Sequence, residues 1–517
     1  MSTFFIQQFG CRATQADGAA LERQLLDRGY TPAPDPSAAA IVVLNTCTVT
    51  AAADAQARDA IRKIHARNPA AQLIVTGCYA QRAPEELAAL PGVSHVVGNS
   101  HKPQIPNLVA QIAPAATART TDGETVIPSE ARISSPPSVC REENLLFPSV
   151  AADGNARLAQ ILTGDIFAHP EFLSAPIQGG ESHRTRPILK IQDGCNNRCA
   201  FCIIPFVRGK SRSLPPDSII REIRNLTSAQ KSAAPVAQAF LPVRLSAPSP
   251  DSLEHSSVAY HAREIVLSGI NLGTYGRDLS PRIEFIDLLH RILDETTVER
   301  LRISSIEPQD VTQDLIDLFA STDRIAQHFH MPLQSASDRI LAAMHRWYRS
   351  EHYARRLELI HDRLPNAAIG ADVIAGFPGE TESDHAATLA FIERHPFTYL
   401  HVFSYSPRPG TKAANAPNQV PAPIIKRRAR ELRSLSEQKS AAFRQSQQGR
   451  TLRVLTLHRS PHDDRVGFTP TLSSNYLTFS VPGSHPRNRW MEIEVSTNDS
   501  APMSADTNDR IAAASFA

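Results

Sequence analysis

The chain has 517 residues, of which 54 are Lys or Arg and 52 are Asp or Glu, for a formal net charge of +2. That balance excludes a globally basic polyanion binder, so any nucleic-acid surface must be a local patch, and the length predicts two or three domains with separate cores. Seven cysteines are too few for a disulfide scaffold at this length and suit reduced thiols in a cytosol.

The opening segment, Met1 to Gly10, has neither a basic start nor a long apolar stretch. Nowhere do apolar residues run on for the roughly 18–20 positions needed to span a bilayer. No membrane association is expected, and the expected location is cytoplasmic.

Within residues 1–113, apolar runs at 4–9, 41–44 and 73–75 alternate with helix-like stretches at 16–28, 52–66 and 85–90. This alternation predicts a small parallel α/β domain. Each run ends in a cysteine: Phe9-Gly10-Cys11, Asn45-Thr46-Cys47 and Thr76-Gly77-Cys78. Ligands collect beyond the carboxyl ends of parallel strands, so three thiols far apart in sequence would meet on one sheet edge, with Gly10 and Gly77 allowing sharp turns beside them. Free cysteines are often buried and inert. Three at equivalent positions, with a second trio downstream, favour a metal cluster instead.

Residues 114–186 are rich in Ala, Ser, Pro and Thr without a sustained period and read as a flexible insertion, as do residues 229–261. Cys140 lies in the first of these, matches no motif, and reads as a free thiol.

The run Ile191-Gln192-Asp193-Gly194-Cys195-Asn196-Asn197-Arg198-Cys199-Ala200-Phe201-Cys202 carries the second trio. Cysteines this close hold iron–sulfur clusters, and three ligands leave one iron of a cubane open to chelate and reduce a small molecule. Structural zinc usually recruits a fourth ligand from a second paired knuckle, and none follows Cys202. The spacing resembles that of the radical S-adenosylmethionine (SAM) enzymes.

Strand-like runs follow at 188–191, 265–267, 301–304, 329–333, 369–374 and 400–405, with helical patterns at 218–226, 285–293, 312–319, 338–345 and 382–394. Six β/α units across residues 187–430 predict a partial (β/α)6 barrel with its chemistry at the carboxyl ends of the strands. Ser268, Gly269, Glu307, Gln334, Asp372 and Gly376 stand at those ends and suit a zwitterionic nucleoside cofactor, although each could instead serve a cap or turn. Arg208, Lys210 and Arg212 follow the cysteine loop, where they would meet a phosphate backbone or form a solvated turn. From residue 423 a helical stretch gathers Lys426, Arg427, Arg428, Arg430 and Arg433, continuing to Lys439 and Arg444; a polyanion is the natural partner, and a solvated helix face the plainer reading. Within 431–496, short strands at 451–457, 465–469, 476–481 and 491–495 predict a small β-barrel. Residues 497–517 read as a disordered tail.

The segments around Cys11, Leu44-Asn45-Thr46-Cys47-Thr48-Val49-Thr50 and Thr76-Gly77-Cys78-Tyr79-Ala80-Gln81 resemble the amino-terminal domain of the methylthiotransferases, closest to the branch acting on N6-threonylcarbamoyladenosine in tRNA. The resemblance runs through the barrel and, loosely, to a closing RNA-binding TRAM module. One departure is Ala336, where the family commonly has glycine. The resemblance implies two 4Fe–4S clusters, on Cys11, Cys47 and Cys78 and on Cys195, Cys199 and Cys202, with SAM chelated at the second. It implies transfer of a methylthio group to C2 of N6-threonylcarbamoyladenosine beside the anticodon. Partners would be tRNA, through its anticodon loop, an electron donor such as flavodoxin or ferredoxin, and a sulfur donor; a monomer is expected. Isopentenyladenosine in tRNA and a ribosomal-protein aspartate are rival substrates within the family. A non-catalytic iron–sulfur RNA-binding redox sensor is the rival from another class.

Overall fold

The computed structural model describes residues 2–113, 146–150, 156–168, 173, 177–179, 184–228, 261–459 and 467–496. Cys140, the stretch 229–260 and the tail from 497 lie outside the described residues. Strands Thr3–Gln8, Ile41–Thr46, Gln72–Gly77 and Val93–Gly98 pair in parallel as neighbours within a seven-stranded sheet. Helices such as Arg12–Asp27 and Ala51–Arg67 cover its two faces, burying Val42, Leu44, Leu73 and Val75 on one side and Phe4, Ile41, Val43 and Ile74 on the other. Burial on both faces is why these strands read as continuous apolar runs.

The reading of 114–186 as a flexible insertion needs correction at two strands. Ala156–Leu162 adds to the sheet in parallel beside Val93–Gly98, and Leu146–Val150 pairs with it antiparallel. Ala159 and Ile161 are buried. A short strand pair inside an Ala/Ser/Pro-rich stretch leaves little compositional trace, because its burial comes from a distant edge strand.

All six expected barrel strands form, at Arg184–Lys190, Glu264–Ser268, Arg300–Ile303, His328–His330, Ala368–Ala375 and Tyr399–Ser404. Neighbours pair in parallel in two sheets, joined by the bridge Leu301–Ile325. Alternate residues (Leu189, Ile265, Leu267, Leu301, Ile303, Phe329, Ala371, Val373, Leu400) face outward into the main core. Helix Ala422–Ser446 runs unbroken across residue 430 and packs Ala429 and Leu432 into that core. The last strands, Thr451–Thr456, Phe468–Ser473, Thr478–Pro482 and Trp490–Glu494, form an antiparallel sheet. Its carbonyls at Leu472, Ser473 and Ser474 accept hydrogen bonds from Arg300 and Arg302, so this sheet closes the amino end of the barrel. Among the described residues no helix is long and apolar enough to cross a membrane.

Candidate functional site: two thiol trios on one wall

The register Gln8↔Asn45 and Thr46↔Gly77 brings three strand ends level, and Cys11, Cys47 and Cys78 follow them, all buried. Bare backbone is required here. A Cβ on Gly10 (φ 85°) would lie 2.3 Å from the Cys47 Cβ, and one on Gly77 (φ 103°) would lie 2.2 Å from the Thr46 carbonyl oxygen. The hydrogen bond between Cys11 and Cys47 pulls the Cys11 thiol down to about 5, and Cys47 is raised in return. Asn99 Nδ2 donates to Cys78 Sγ at 3.5 Å.

Below this trio lies a buried ionic network. Asp17 meets Lys102 (2.9 Å), Lys190 and Arg208 (3.1 Å); Asp193 meets Lys190 (2.7 Å) and Arg208 (2.9 Å). Among the described residues three cations meet two carboxylates here, a balance that favours an anionic occupant above it. Arg208 also reaches Thr14 Oγ1 (3.2 Å), itself 3.4 Å from Cys11 Sγ.

The second trio sits on a loop held by its backbone. The Cys195 amide donates to the Gly209 carbonyl. Gln192 Nε2 donates to the Asp193 and Gly194 carbonyls and its Oε1 accepts from the Asn271 amide. Donors converge on sulfur: the Asn197 amide (3.4 Å) and Asn271 Nδ2 (3.9 Å) on Cys195, and Arg346 Nη1 (3.3 Å) on Cys199. Burial raises the Cys195 thiol to about 11 and Cys202 further, so both stay protonated until a metal displaces the proton. N–H groups aimed at sulfur, a surplus cation and apolar walls fit thiolate-held iron–sulfur groups. The two trios share one wall: Cys47 and Cys78 pack with Ile203, Ile204 and Val207, and Cys195 and Cys202 lie against that same cluster.

The barrel lumen is polar, which the sequence reading missed. Its inward positions carry Arg186, Glu264, Arg300, Arg302, His328, His330, Asp372, Tyr399 and His401, visible as a period-2 alternation in Arg300-Leu301-Arg302-Ile303 and Tyr399-Leu400-His401-Val402. Asn271 Oδ1, Ser304 Oγ, Gln334 Oε1, Asp372 Oδ2 and His401 Nε2 are buried and lack a partner among the described residues. They line the lumen or its mouth, on or just beyond the second to sixth strands. Buried polar atoms are normally paired, so the atoms at the mouth, on Asn271, Ser304 and Gln334, fit a polar ligand such as SAM, and Asp372 Oδ2 and His401 Nε2, on the strands themselves, are open to a second polar group.

Residues 3–98 match the family described as "Uncharacterized protein family UPF0004", and residues 189–233 and 246–392 match the radical SAM superfamily. The chain is 32% identical over 481 residues to the threonylcarbamoyladenosine tRNA methylthiotransferase MtaB of Aquifex aeolicus, covering 92% of this chain and 96% of that one. The chain belongs to the radical SAM methylthiotransferase family. The MtaB of Bacillus subtilis is 31% identical, with 94% and 91% covered. A tRNA-2-methylthio-N(6)-dimethylallyladenosine synthase of Syntrophobacter fumaroxidans is 32% identical, with 83% and 79% covered. The cofactors of this methylthiotransferase family are 4Fe–4S clusters and SAM.

The other expected contacts divide. Ser268 closes the second barrel strand, and Gly269 leaves room for Gln192, whose Oε1 would lie 3.0 Å from a Cβ. Glu307 pairs with Arg346, the same arginine that donates to Cys199. Gln334 is the left-handed residue of its loop (φ 60°), so Ala336 needs no glycine's freedom. Asp372 accepts from His330 Nε2 (2.9 Å) and His401 Nδ1 (3.2 Å) at the middle of its strand. The Gly376 amide donates to Glu380 Oε2, which pairs with Arg428. Two RNA-contact expectations are therefore corrected. Arg208 and Arg428, each 2% exposed, are buried and paired with carboxylates, Arg208 with Asp17 and Asp193 and Arg428 with Glu380 and Glu382. Arg427 is tied to Glu382 and Glu431, and Arg212 donates to the Arg208 carbonyl. Lys210, Lys426, Arg430 and Arg433 are exposed. Missed as well were Phe206 and Trp347, 47% and 76% exposed, which flank the cysteine loop; His345, two residues before Trp347, contacts the Arg198 carbonyl.

Proposed function

We propose that the chain installs a methylthio group at C2 of N6-threonylcarbamoyladenosine next to the tRNA anticodon, with Cys11, Cys47 and Cys78 holding one 4Fe–4S cluster and Cys195, Cys199 and Cys202 the other. The observation that supports this is the apolar cluster of Ile203, Ile204 and Val207, which packs against Cys47 and Cys78 of one trio and Cys195 and Cys202 of the other. When bound, the clusters and SAM supply the radical that opens the C2–H bond and the methylthio group that replaces the hydrogen. The chain's residues supply position and exclusion. Asn271 and Arg346 direct N–H groups at the loop sulfurs, and Phe201, Phe403 and Tyr405 line a narrow cleft with Val49, Thr50 and Arg408 between the first domain and the barrel mouth. A base must leave its stack to enter, least costly in a single-stranded loop; exposed Trp347 and Phe206 offer stacking faces there, and Lys210 and the Lys426–Arg433 face offer cations to phosphate. An electron donor of the flavodoxin or ferredoxin class and a separate sulfur donor complete the cycle.

The threonylcarbamoyl assignment rests on the Asn45-Thr46-Cys47-Thr48-Val49-Thr50 motif and on the names of the relatives from Aquifex aeolicus and Bacillus subtilis. Nucleoside mass spectrometry on tRNA from a deletion strain tests it. Loss of 2-methylthio-N6-threonylcarbamoyladenosine, with its unthiolated precursor accumulating, is expected; loss of 2-methylthio-isopentenyladenosine instead would overturn the assignment.

A further inference from the structure

Helix Arg12–Asp27 of the first domain lies across the open side of the barrel. Its Ala16 and Ala19 pack on Ile188 and Val266. The neighbours of those two in sequence, Leu189, Ile265 and Leu267, belong to the outer core, so Ile188 and Val266 face the lumen. Positions 12, 16 and 19 share one helix face, and Arg12 points the same way, one turn nearer Cys11. Burial first, with the Arg12 charge among the lesser causes, holds the His328 and His330 imidazoles below their ordinary range, which agrees with a guanidinium directed toward the lumen.

Arg12 has no task in the fold. Among the described residues it makes no hydrogen bond or ion pair, whereas the lumenal Arg186, Arg300 and Arg302 all converge on Glu264. A cation in a helix's first turn also opposes the helix dipole. On the lumen wall, Asp372 is fully buried with Oδ2 unpaired, and His401 Nε2 is unpaired beside it. An unpaired cation and unpaired acceptors around one space suit a group with an anionic end and donors further in. A hydrocarbon substituent would leave all of them unsatisfied, a loss that polar sites exploit to reject the wrong substrate.

We infer that Arg12 is the specificity residue for the N6 group of the base: its guanidinium takes the threonylcarbamoyl carboxylate, while Asp372 Oδ2 accepts from that group's hydroxyl or urea N–H. This rests on the threonylcarbamoyladenosine reading above. The test uses reconstituted holoenzyme and anticodon stem-loops carrying threonylcarbamoyladenosine, its carboxylate methyl ester, or unmodified adenosine, with Kd measured alongside KM and kcat. Arg12→Gln should weaken binding and raise KM for the acid about ten- to a hundredfold, the usual loss for a charge-assisted hydrogen bond. Binding of the ester and of the unmodified loop should barely change, and Arg12→Lys should recover part of the loss. Iron content equal to wild type shows that Cys11 is undisturbed, and Asp372→Asn gives a second selective loss from the other wall. Equal weakening of all three stem-loops, or none, would overturn the inference while the substrate assignment stood. If wild-type holoenzyme left the threonylcarbamoyl stem-loop unmodified and thiolated an isopentenyl one, the substrate assignment would fall first and this inference with it.

Discussion

Replacing Asp17 by Asn removes one charge from the buried network that ties the first domain to the barrel. Asp17 sits on the helix after Cys11 and bonds Lys102 from its own domain and Lys190 and Arg208 from the barrel. Without it, Asp193 is the one carboxylate left against those three buried cations among the described residues. Removing one partner from a buried ion pair costs about 3–5 kcal/mol. A second route to the magnitude comes from protonation. Burial alone would raise the Asp17 carboxyl, but Lys102, Lys190 and Arg208 outweigh it and hold it at about 2. A depression of that size below the ordinary aspartate range corresponds to roughly 2 kcal/mol. Because the folded value is the lower one, this stabilisation is complete above the unfolded value near pH 4 and is lost as pH falls toward 2. Urea unfolding of metal-free wild type and Asp17→Asn, followed by circular dichroism between pH 7 and 3, is the assay. The variant should be less stable by about 2–4 kcal/mol at pH 7, with the gap narrowing below pH 4. A gap under about 1 kcal/mol, or one that stays constant across that window, would refute the idea that this network joins the two parts.

Three further outcomes are expected. Changing Cys195, Cys199 or Cys202 to Ala should abolish SAM cleavage to 5′-deoxyadenosine, whereas Cys11, Cys47 or Cys78 to Ala should spare cleavage and stop sulfur insertion; loss of cleavage in the second set with the other cluster intact would refute that division. Arg346→Met removes an N–H donor and a positive charge beside Cys199, so the potential of that cluster should fall by tens of millivolts in an EPR redox titration; an unchanged potential would make Arg346 only a partner for Glu307. Trp347→Ala should weaken stem-loop binding by about 1–3 kcal/mol if a base stacks there, measured by fluorescence anisotropy, with circular dichroism unchanged because the ring is exposed.

The cysteine spacing, the apolar runs and the turn glycines are local facts, so the three strands that lead to Cys11, Cys47 and Cys78, the six barrel strands and both trios could be read from residue order alone. Those features follow from backbone sterics and from burial on both sheet faces, which leave continuous apolar runs in the chain. The helix at Ser350–Arg363 and the strand at Val93–Gly98 escaped notice, the first because its polar face hides its period and the second because Ser94 and His95 interrupt its apolar run. Charge was the least legible property. Arg208 and Arg428 look like Lys210 and Lys426 in a sequence, yet the first pair lies inside carboxylate networks and the second pair faces water, since burial depends on what folds against a residue from far along the chain. Residue order determined which groups could bind metal; tertiary packing decided that Asp17 and Arg208 meet, that both trios share one wall, and that Arg12 faces a polar lumen. Each of those depends on contacts across long sequence separations, where only the folded chain's geometry assigns a neighbour.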